Sequence, residues 1–267
     1  MLDIIGVGKT FADPVRKQSF VALQDVALGV PERQFLCLLG PSGCGKTTLI
    51  RIVAGLSSSD RGEIRIGGRQ VKGPQSDCSM VFQNYGLLPW RTVRHNVELG
   101  LEIRGVPPAR RREVCREYIE RVGLTGFEDY YPHEISGGMQ QRTALARALS
   151  KRPKILLMDE PFAAVDMQTR ERLQEELLDI WDRFRTTVVF VTHSIEEAVY
   201  LADRVVVMAA RPGRLVLDLP IRLPRPRNGS VKMLPEFAEH CARIRQTLHT
   251  PTASSSAERA IEVAGGP

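Results

Sequence analysis

The chain has 267 residues, of which 43% are hydrophobic, 25% charged and 6% aromatic, and this is the composition of a globular protein. It excludes a disordered, collagenous or disulfide-scaffold protein, and the length suffices for one large domain or two small ones. The net charge of +6 is compatible with nucleic acid, an anionic membrane surface or neither as a partner.

The sequence predicts a cytoplasmic chain with reduced thiols. No segment approaches the roughly 18 consecutive apolar residues of a membrane-spanning helix. The first residues lack the basic start and the long apolar run of a signal peptide. The five cysteines are an odd number without a C-x-x-C pair, which favours free thiols over a disulfide framework or a metal site.

In the first part of the chain, the pattern predicts antiparallel strands followed by a buried strand. Residues 1–30 alternate apolar and polar side chains, as half-buried antiparallel strands do. The continuous apolar run Phe35–Leu39 is typical of a strand that is buried on both faces. A glycine-rich turn follows, then helical character over 47–54, and residues 63–71 indicate a hairpin.

The middle and later parts of the chain predict an α/β protein. The pattern is helical from about residue 93 to 150, whereas 155–158, 188–191 and 204–208 are short buried runs typical of strands. An amphipathic helix is predicted over 171–183, between two of these strands. Strands that alternate with helices favour a mainly parallel sheet, so the helical block is an insertion between sheet strands.

The C-terminal part is predicted to lie outside the main domain. Prolines and an Asn-Gly pair predict a linker, which is followed by a short helix over 235–248. Residues 250–267 include a serine run and a terminal Gly-Gly-Pro, and they predict a mobile tail. We therefore expect one domain over residues 1–224, with a helical subdomain inserted at about 88–150, and a separate segment 225–267.

A phosphate-binding loop is predicted between the buried strand and the first helix. Residues 40–47 match the motif G-x-x-x-x-G-K-[ST], and the strand and helix around them disfavour the alternative of a glycine-rich turn without a ligand. Backbone N–H groups of such a loop attract phosphate; Lys46 would reach the β- and γ-phosphates, and Thr47 would bind Mg²⁺. The candidate nucleotide-binding residues of this loop are Gly40, Pro41, Ser42, Gly43, Cys44, Gly45, Lys46, Thr47 and Thr48.

Two acidic residues follow the second buried strand. Asp159 and Glu160 come directly after the apolar run 155–158, and ligands of open α/β sheets bind at the carboxyl ends of strands. Asp159 would hold the hydration shell of Mg²⁺, and Glu160 would polarise the attacking water in a phosphoryl transfer. The alternative is a pair of acids at a surface turn, which the phosphate loop makes less favourable.

Further motifs occur in the order that is typical of one family. The run Ile135-Ser136-Gly137-Gly138-Met139-Gln140-Gln141-Arg142 is similar to the signature of ATP-binding-cassette (ABC) ATPases. Gln83, Asp166 and His193 resemble the Q-loop glutamine, the D-loop aspartate and the switch histidine of that family, and Phe11 resembles its adenine-stacking aromatic. Together with the phosphate loop, these motifs cover about residues 1–220, and the chain is identified as resembling the ABC ATPases.

The resemblance implies a fold and a reaction. The implied fold class is α/β, a P-loop NTPase (RecA-like) core with an N-terminal antiparallel β subdomain and an inserted α-helical subdomain. The implied reaction is hydrolysis of ATP with Mg²⁺. Glu160, His193 and Gln83 are the implied catalytic residues, as general base, γ-phosphate contact and link to the membrane partner. The implied metal-binding residues are Thr47, Gln83 and Asp159.

The resemblance also implies a head-to-tail dimer. With one phosphate loop and one signature per chain, each copy would lend its signature to the ATP of a second copy. Outside the phosphate loop, the residues implied in nucleotide binding are Phe11, Ser136, Gly137, Gly138 and Asp166. Phe20 is the alternative to Phe11, which would then pack within the β layer.

Finer matches are similar to the ATPases of nitrate, sulfonate and taurine importers. They are the runs 87–93, 158–162 and 209–214. This likeness implies transmembrane permease subunits as partners, a substrate-binding protein as an indirect partner, and a peripheral position at the cytoplasmic face of the inner (plasma) membrane. Nucleic acid is not expected as a partner.

Several alternatives stay open at this point. A soluble ABC ATPase that acts on DNA or ribosomes is one alternative function, and a regulatory module that binds ATP without hydrolysis is another. Residues 87–90 form either core packing or an exposed apolar groove for a helix of the membrane partner. The run Arg110-Arg111-Arg112 is either a solvated helix face or a site for anionic headgroups.

Overall fold

The computed structural model describes residues 1–13, 18–163 and 165–249. Within these ranges the strands are β1 (Leu2–Asp13), β2 (Gln18–Val30), β3 (Phe35–Leu39), β4 (Arg61–Ile66), β5 (Arg69–Gln70), β6 (Cys78–Val81), β7 (Ile155–Asp159), β8 (Thr187–Thr192), β9 (Arg204–Ala209) and β10 (Arg214–Pro220). The helices are α1 (Lys46–Val53), α2 (Val93–Ile103), α3 (Pro108–Arg121), α4 (Gly137–Leu149), α5 (Met167–Phe184), α6 (Ile195–Leu201) and α7 (Pro235–His249), with 3-10 turns at Pro132–Glu134 and Gly229–Met233.

The N-terminal part forms an antiparallel sheet in the order β2-β1-β4-β5, as the alternating pattern predicts. Leu2 pairs with Val30 on one side and with Ile66 on the other, so that these apolar side chains lie in one buried layer. This layer packs on the phosphate loop: a Cβ at Gly45 would lie 2.7 Å from Leu23 Cδ2. The antiparallel sheet thereby supports one side of the nucleotide-binding loop.

The second sheet has the order β10-β9-β3-β8-β7-β6 and is mainly parallel, as predicted. Strands β6, β7, β8, β3 and β9 run parallel, and only β10 among the described strands of this sheet runs antiparallel to its neighbour. Every residue of β3 is buried, which agrees with its position in the sheet interior. The carboxyl ends of β3, β7 and β8 therefore lie at one edge, where the motifs follow them.

Two strands of this sheet, β6 and β10, were not predicted from the sequence. Strand β6 has only four residues, which leaves too short an apolar run to stand out from a loop. Strand β10 lies at the sheet edge, half-exposed, and ends at Pro220. Edge strands carry a weaker hydrophobic pattern because one side of the strand faces solvent.

Helices α2, α3 and α4 lie between β6 and β7 in the chain and pack on one another. Their contact faces bury apolar side chains such as Val97, Cys115 and Leu145. This is the inserted helical subdomain of the predicted fold class. The domain boundaries assigned from the sequence stay predictions.

The segment after residue 224 differs from the predicted linker, because its described residues pack on the domain. Arg227 is buried and donates hydrogen bonds of 2.8 Å to the carbonyl oxygens of Tyr200 and Ala202 at the end of α6. The guanidinium of Arg225 lies 4.4 Å from the ring centroid of Trp181. The prolines and the glycine in this segment indicate a loop. The sequence pattern does not show that the neighbouring arginines donate hydrogen bonds to carbonyl oxygens far away in the chain.

Helix α7 confirms the short helix predicted in this region and completes the packing. It buries Phe237, Cys241 and Ile244 in the same apolar core as α6. The predicted mobile tail, residues 250–267, lies outside the described residues. No helix in the described part of the chain is long and apolar enough to cross a membrane.

Candidate active site

The phosphate loop joins β3 to α1 and has the backbone shape that its glycines allow. Gly43 and Gly45 have φ values of +77° and +96°, a region that favours glycine. A Cβ at Gly40 would lie 2.6 Å from the carbonyl oxygen of Met208, so no larger residue fits there without a shift. The loop leads directly into the N-terminus of α1, whose free N–H groups favour an anion.

Lys46 is the buried cation of the loop. Its Nζ donates hydrogen bonds to the carbonyl oxygens of Gly40 at 2.7 Å and Pro41 at 3.0 Å. The same atom lies 3.8 Å from Glu160 Oε1, across the mouth of the loop. The ammonium group therefore lies between the phosphate loop and the carboxylate at the end of the neighbouring strands.

Thr47 and Asp159 are brought together from two elements. The Thr47 hydroxyl at the start of α1 donates to Asp159 Oδ1 at the end of β7, over 3.0 Å. Burial, helped by the negative charge of Glu160, raises the pKa of Asp159, and the Thr47 hydrogen bond opposes this effect. A hydroxyl and a carboxylate oxygen beside a phosphate loop are the ligands that Mg²⁺ prefers, so these two residues fit that ion.

Glu160 joins three parts of the site. Its backbone N–H donates to the carbonyl oxygen of Val191 at 3.1 Å, which fixes it to β8. Its Oε2 lies 2.9 Å from Nδ1 of His193, so that an Nδ1–H donates to the carboxylate. The backbone φ of Glu160 is +44°, a strained value for a residue with a side chain, and such strain is concentrated at functional sites.

The aromatic pair Phe11 and Phe20 lies on the neighbouring strands β1 and β2. The rings stack with centroids 5.5 Å apart, and they are 37% and 59% exposed. A cavity of about 800 Å³ lies beside the phosphate loop, and its lining includes Phe20, Ser42 and Pro212 but not Phe11. Phe20, which is the alternative to Phe11 as the adenine-stacking residue, therefore lines this cavity, and Phe11 stacks on the Phe20 ring.

Gln83 is exposed in the turn after β6, and no hydrogen bond joins its side chain to another residue in the described ranges. Instead, Arg147 on α4 holds the turn, donating to the carbonyl oxygens of Tyr85 and Gly86 at 2.6 Å. The sequence analysis missed Arg147, because only the fold brings α4 to this turn.

The signature and the D-loop occupy two helix N-termini. The Ser136 hydroxyl caps α4 by accepting the Met139 N–H at 3.3 Å, and nothing lies within 4 Å of a Cβ at Gly137. Asp166 caps α5 by accepting the N–H of Thr169 at 3.1 Å, and this hydrogen bond lowers its pKa. Ala164 of the predicted D-loop lies outside the described residues.

These two caps stand apart from the rest of the site. In the described part of the chain, no hydrogen bond or ion pair joins Ser136 or Asp166 to the phosphate loop. Hydrogen bonds and ion pairs thus join Thr47 to Asp159, and Glu160 to Lys46 and His193. In the described ranges, none links Ser136, Asp166 or Gln83 to these residues.

A buried acid behind His193 was also missed. Glu197 on α6 accepts hydrogen bonds from Gln174 and Thr192. One local signal was available, since Ser194 to Glu197 reads S-x-x-E, the pattern of a helix capping box. The link to Gln174 on α5 has no sequence signal, because it depends on how two helices pack.

Comparisons with known proteins agree with this geometry. The family model described as "ABC transporter" matches residues 23–163. An uncharacterised ABC transporter ATP-binding protein of Methanocaldococcus jannaschii is 54% identical over 227 residues, which are 85% of this chain and 84% of that protein.

Two further relatives have transport names. The nitrate import ATP-binding protein NrtD of Synechocystis is 44% identical, over 92% of this chain and 94% of its own. The taurine import ATP-binding protein TauB of Rhizobium johnstonii is 47% identical, over 86% of this chain and 89% of its own.

A solved structure has the same architecture. It is the dimeric, post-hydrolysis state of the ATP-binding cassette MJ0796 bound to ADP and Pi. Its TM-score to this chain is 0.70 at 31% identity, and the match covers 83% of this chain and 99% of that one. With its phosphate loop, its paired carboxylates and these matches, the chain belongs to the ABC transporter family, as one of its ATP-hydrolysing, ATP-binding subunits.

Proposed function

We propose that this chain energises an importer for small anions of the nitrate, sulfonate or taurine type. The likeness to nitrate and taurine import ATP-binding proteins over most of both chains supports this cargo class. The observation that carries the ATPase activity is the convergence of Lys46, Glu160 and His193 where β3, β7 and β8 end. Phosphoryl transfer needs positioning and charge stabilisation rather than covalent chemistry, and this arrangement supplies both.

Within this site each residue has a proposed task. Glu160 accepts the proton of the attacking water, because its carboxylate lies beyond the phosphate loop and is oriented by His193. Lys46 exchanges the carbonyl oxygens of its own loop for the β- and γ-phosphate oxygens of ATP. Thr47 and Asp159 would hold Mg²⁺, which when bound would neutralise the charge that develops on the phosphates. Gln83 would join them through a movement of its turn.

The working unit is proposed to be a head-to-tail dimer. Ser136 and Asp166 lie at exposed helix N-termini without contact to the phosphate loop of their own chain. A helix N-terminus favours an anion, so the signature of one copy fits the γ-phosphate bound by the other. The dimeric state of the similar cassette MJ0796 supports this assembly.

A permease helix is the proposed partner of the helical subdomain. Trp90, which follows the apolar residues Leu87 and Leu88, is 71% exposed, and this favours a docking surface over core packing at that position. Phe82 beside Gln83 is exposed as well. The turn that carries Gln83 is thus close in the chain to the proposed docking surface, which supports coupling between them.

The proposed function is tested with the complex that co-purifies with the full chain from native membranes, reconstituted with its binding protein. ATP turnover should rise on addition of nitrate, taurine or an alkanesulfonate. Glu160→Gln should keep ATP affinity but lower turnover by about 100-fold or more, and it should accumulate closed dimers. Steady turnover in the soluble fraction, without a co-purifying membrane partner, would instead support a soluble ABC ATPase.

A further inference from the structure

A buried carboxylate lies behind His193 and has no role in the site as described so far. Glu197 on α6, Thr192 at the end of β8 and Gln174 on α5 are 6%, 2% and 4% exposed. Gln174 Nε2 donates to Glu197 Oε1 at 3.0 Å, and the Thr192 hydroxyl donates to Glu197 Oε2. Three elements of the fold therefore meet at one carboxylate.

The backbone on both sides of His193 is attached to this carboxylate. The Ser194 N–H donates to Thr192 Oγ1 at 3.0 Å, and the Glu197 N–H donates to Ser194 Oγ at 3.3 Å. In a capping box the glutamate side chain accepts the serine N–H directly, whereas here the Thr192 hydroxyl lies between them. The hydrogen bonds form a closed ring that holds the residue before and the residue after His193.

The chemistry of this ring requires an acceptor on both oxygens of residue 197. A carboxylate accepts from Thr192 and from Gln174, whereas a glutamine whose oxygen accepts from Gln174 would turn its NH₂ towards the Thr192 hydroxyl and leave that buried hydroxyl proton without its acceptor. A buried carboxylate is costly unless hydrogen bonds and opposite charge stabilise it. The two donors, together with the positive charge of Arg170, supply that stabilisation and oppose the rise that burial causes in the pKa of Glu197.

Arg170 lies near the same carboxylate and contacts the D-loop. Its guanidinium donates to the carbonyl oxygen of Val165 at 2.8 Å, immediately before Asp166. The small space lined by Glu160, Arg170, His193 and Glu197 has a volume of about 10 Å³, which leaves room for one water molecule at most. Arg170 therefore contacts the D-loop backbone and lines the same small space as Glu160, His193 and Glu197.

We propose that Glu197 is a positioning residue for ATP hydrolysis, which holds the His193 loop through Thr192 and Ser194 and joins it to the D-loop through Arg170. The inference rests on the proposed function, because it assigns a role within the same site. Arg170, which contacts the D-loop and lines the same small space as Glu197, places the D-loop beside the His193 loop. Turnover therefore depends on Glu197, whereas ATP binding to the phosphate loop does not.

The test compares matched substitutions in the full chain. Thr192→Val removes the hydroxyl from the ring, and Glu197→Gln removes one of its two carboxylate acceptors, and neither changes the side-chain volume much. Thr187→Val is the control: Thr187 lies at the other end of β8, is also buried, and its hydroxyl accepts the Arg33 N–H at 2.9 Å. The readouts are kcat, KM for ATP, and the ¹⁵N chemical shifts of the His193 ring, assigned with His193→Ala.

We expect Thr192→Val and Glu197→Gln to lower kcat about 10-fold or more, with KM within about 2-fold and changed His193 shifts. Thr187→Val should keep kcat and KM within about 2-fold of the original chain and leave the His193 shifts unchanged. Equal losses of kcat in Thr187→Val and Thr192→Val, or full turnover in Glu197→Gln, would overturn the proposal. A wild-type chain that turns over no faster than Glu160→Gln would refute the proposed function instead, before this comparison is made.

Discussion

The two halves of the candidate site differ in how completely this chain builds them. On the phosphate-loop side, Lys46, Thr47, Asp159, Glu160 and His193 form a chain of contacts between 2.9 and 3.8 Å. On the signature side, the side-chain hydrogen bonds of Ser136 and Asp166 within the described ranges go to the first turns of their own helices. The connected half can therefore bind a nucleotide without a second copy. The exposed pair of helix caps can act only on a nucleotide that a second copy brings to it.

The difference predicts which step each half controls. Substitutions in the phosphate loop itself, such as those of Lys46, should change nucleotide binding by a single copy, whereas Glu160→Gln should lower turnover alone. Substitutions on the signature side should leave that binding unchanged and lower only turnover, which needs both copies. The predictions below test this separation, in order of decreasing effect.

The largest effect is expected at Lys46. Lys46→Ala removes the buried cation of the loop, and hydrogen bonds to a charged group contribute about 1.5–3 kcal/mol each. The dissociation constant of ATP should rise by roughly 10- to 100-fold or more, measured by titration with a fluorescent ATP analogue. Lys46→Met, which keeps the aliphatic volume, should show the same loss; unchanged affinity in both variants would contradict the assignment of the phosphate loop.

The signature side is tested with Ser136→Asp. Aspartate caps a helix as well as serine does, so α4 should remain folded, but its charge repels a phosphate across the interface. ATP affinity should stay within about 2-fold, while turnover falls by about 10- to 100-fold, as expected when one correctly placed contact is lost.

A mixture of Ser136→Asp and Lys46→Ala chains sharpens this result. In a mixed head-to-tail pair, one site combines an intact phosphate loop with an intact signature, so turnover should exceed that of either variant alone. A mixture that is as inactive as both variants would contradict a site shared between two copies.

The smallest expected effect is on the free energy of unfolding, and it has opposite signs for Asp159 on the phosphate-loop side and Asp166 on the signature side. Burial raises the pKa of Asp159, so folding disfavours its charged form. The contribution of this group to stability is therefore fully present below its unfolded pKa. It is lost as the pH rises through the raised pKa of the folded state. Asp159→Asn should therefore raise the free energy of unfolding at pH 7 by on the order of 1 kcal/mol, while activity is lost. Urea denaturation at pH 7 measures this change.

Asp166→Asn is the control for the signature side. The Thr169 N–H lowers the pKa of Asp166, so this group stabilises the fold above its unfolded pKa, and that stabilisation is lost as pH falls through the lowered value. Since asparagine also caps helices well, the variant should be slightly less stable than the original chain at pH 7. A stabilised Asp166→Asn, or a destabilised Asp159→Asn, would show that the two carboxylates are not in different environments.

Much of the fold follows from local patterns in the sequence. The apolar run of β3, the glycines of the phosphate loop and the caps at Ser136 and Asp166 specify local backbone shape. Each of these features is set by residues within a few positions of one another, so the printed sequence predicts it. The order of the motifs was sufficient to indicate the family, and the comparisons confirm it.

What the sequence could not determine are contacts between residues far apart in the chain. Arg147 reaches the turn at Tyr85, Arg227 reaches the end of α6, and Gln174 reaches Glu197 only because helices and strands pack in particular registers. The positions of Phe11 and Phe20 relative to the phosphate loop likewise depend on the packing of β2 on that loop.

The sequence by itself therefore determined the strand before the phosphate loop and the helix after it, and it predicted the roles of Lys46, Thr47, Asp159 and Glu160. Local propensity and residue type suffice for these features, since neighbouring residues define them. Only the tertiary structure decided that the segment after residue 224 packs on the core and that a buried carboxylate supports His193. Burial and hydrogen bonding between distant groups depend on the packing of whole elements, and no local pattern records that packing.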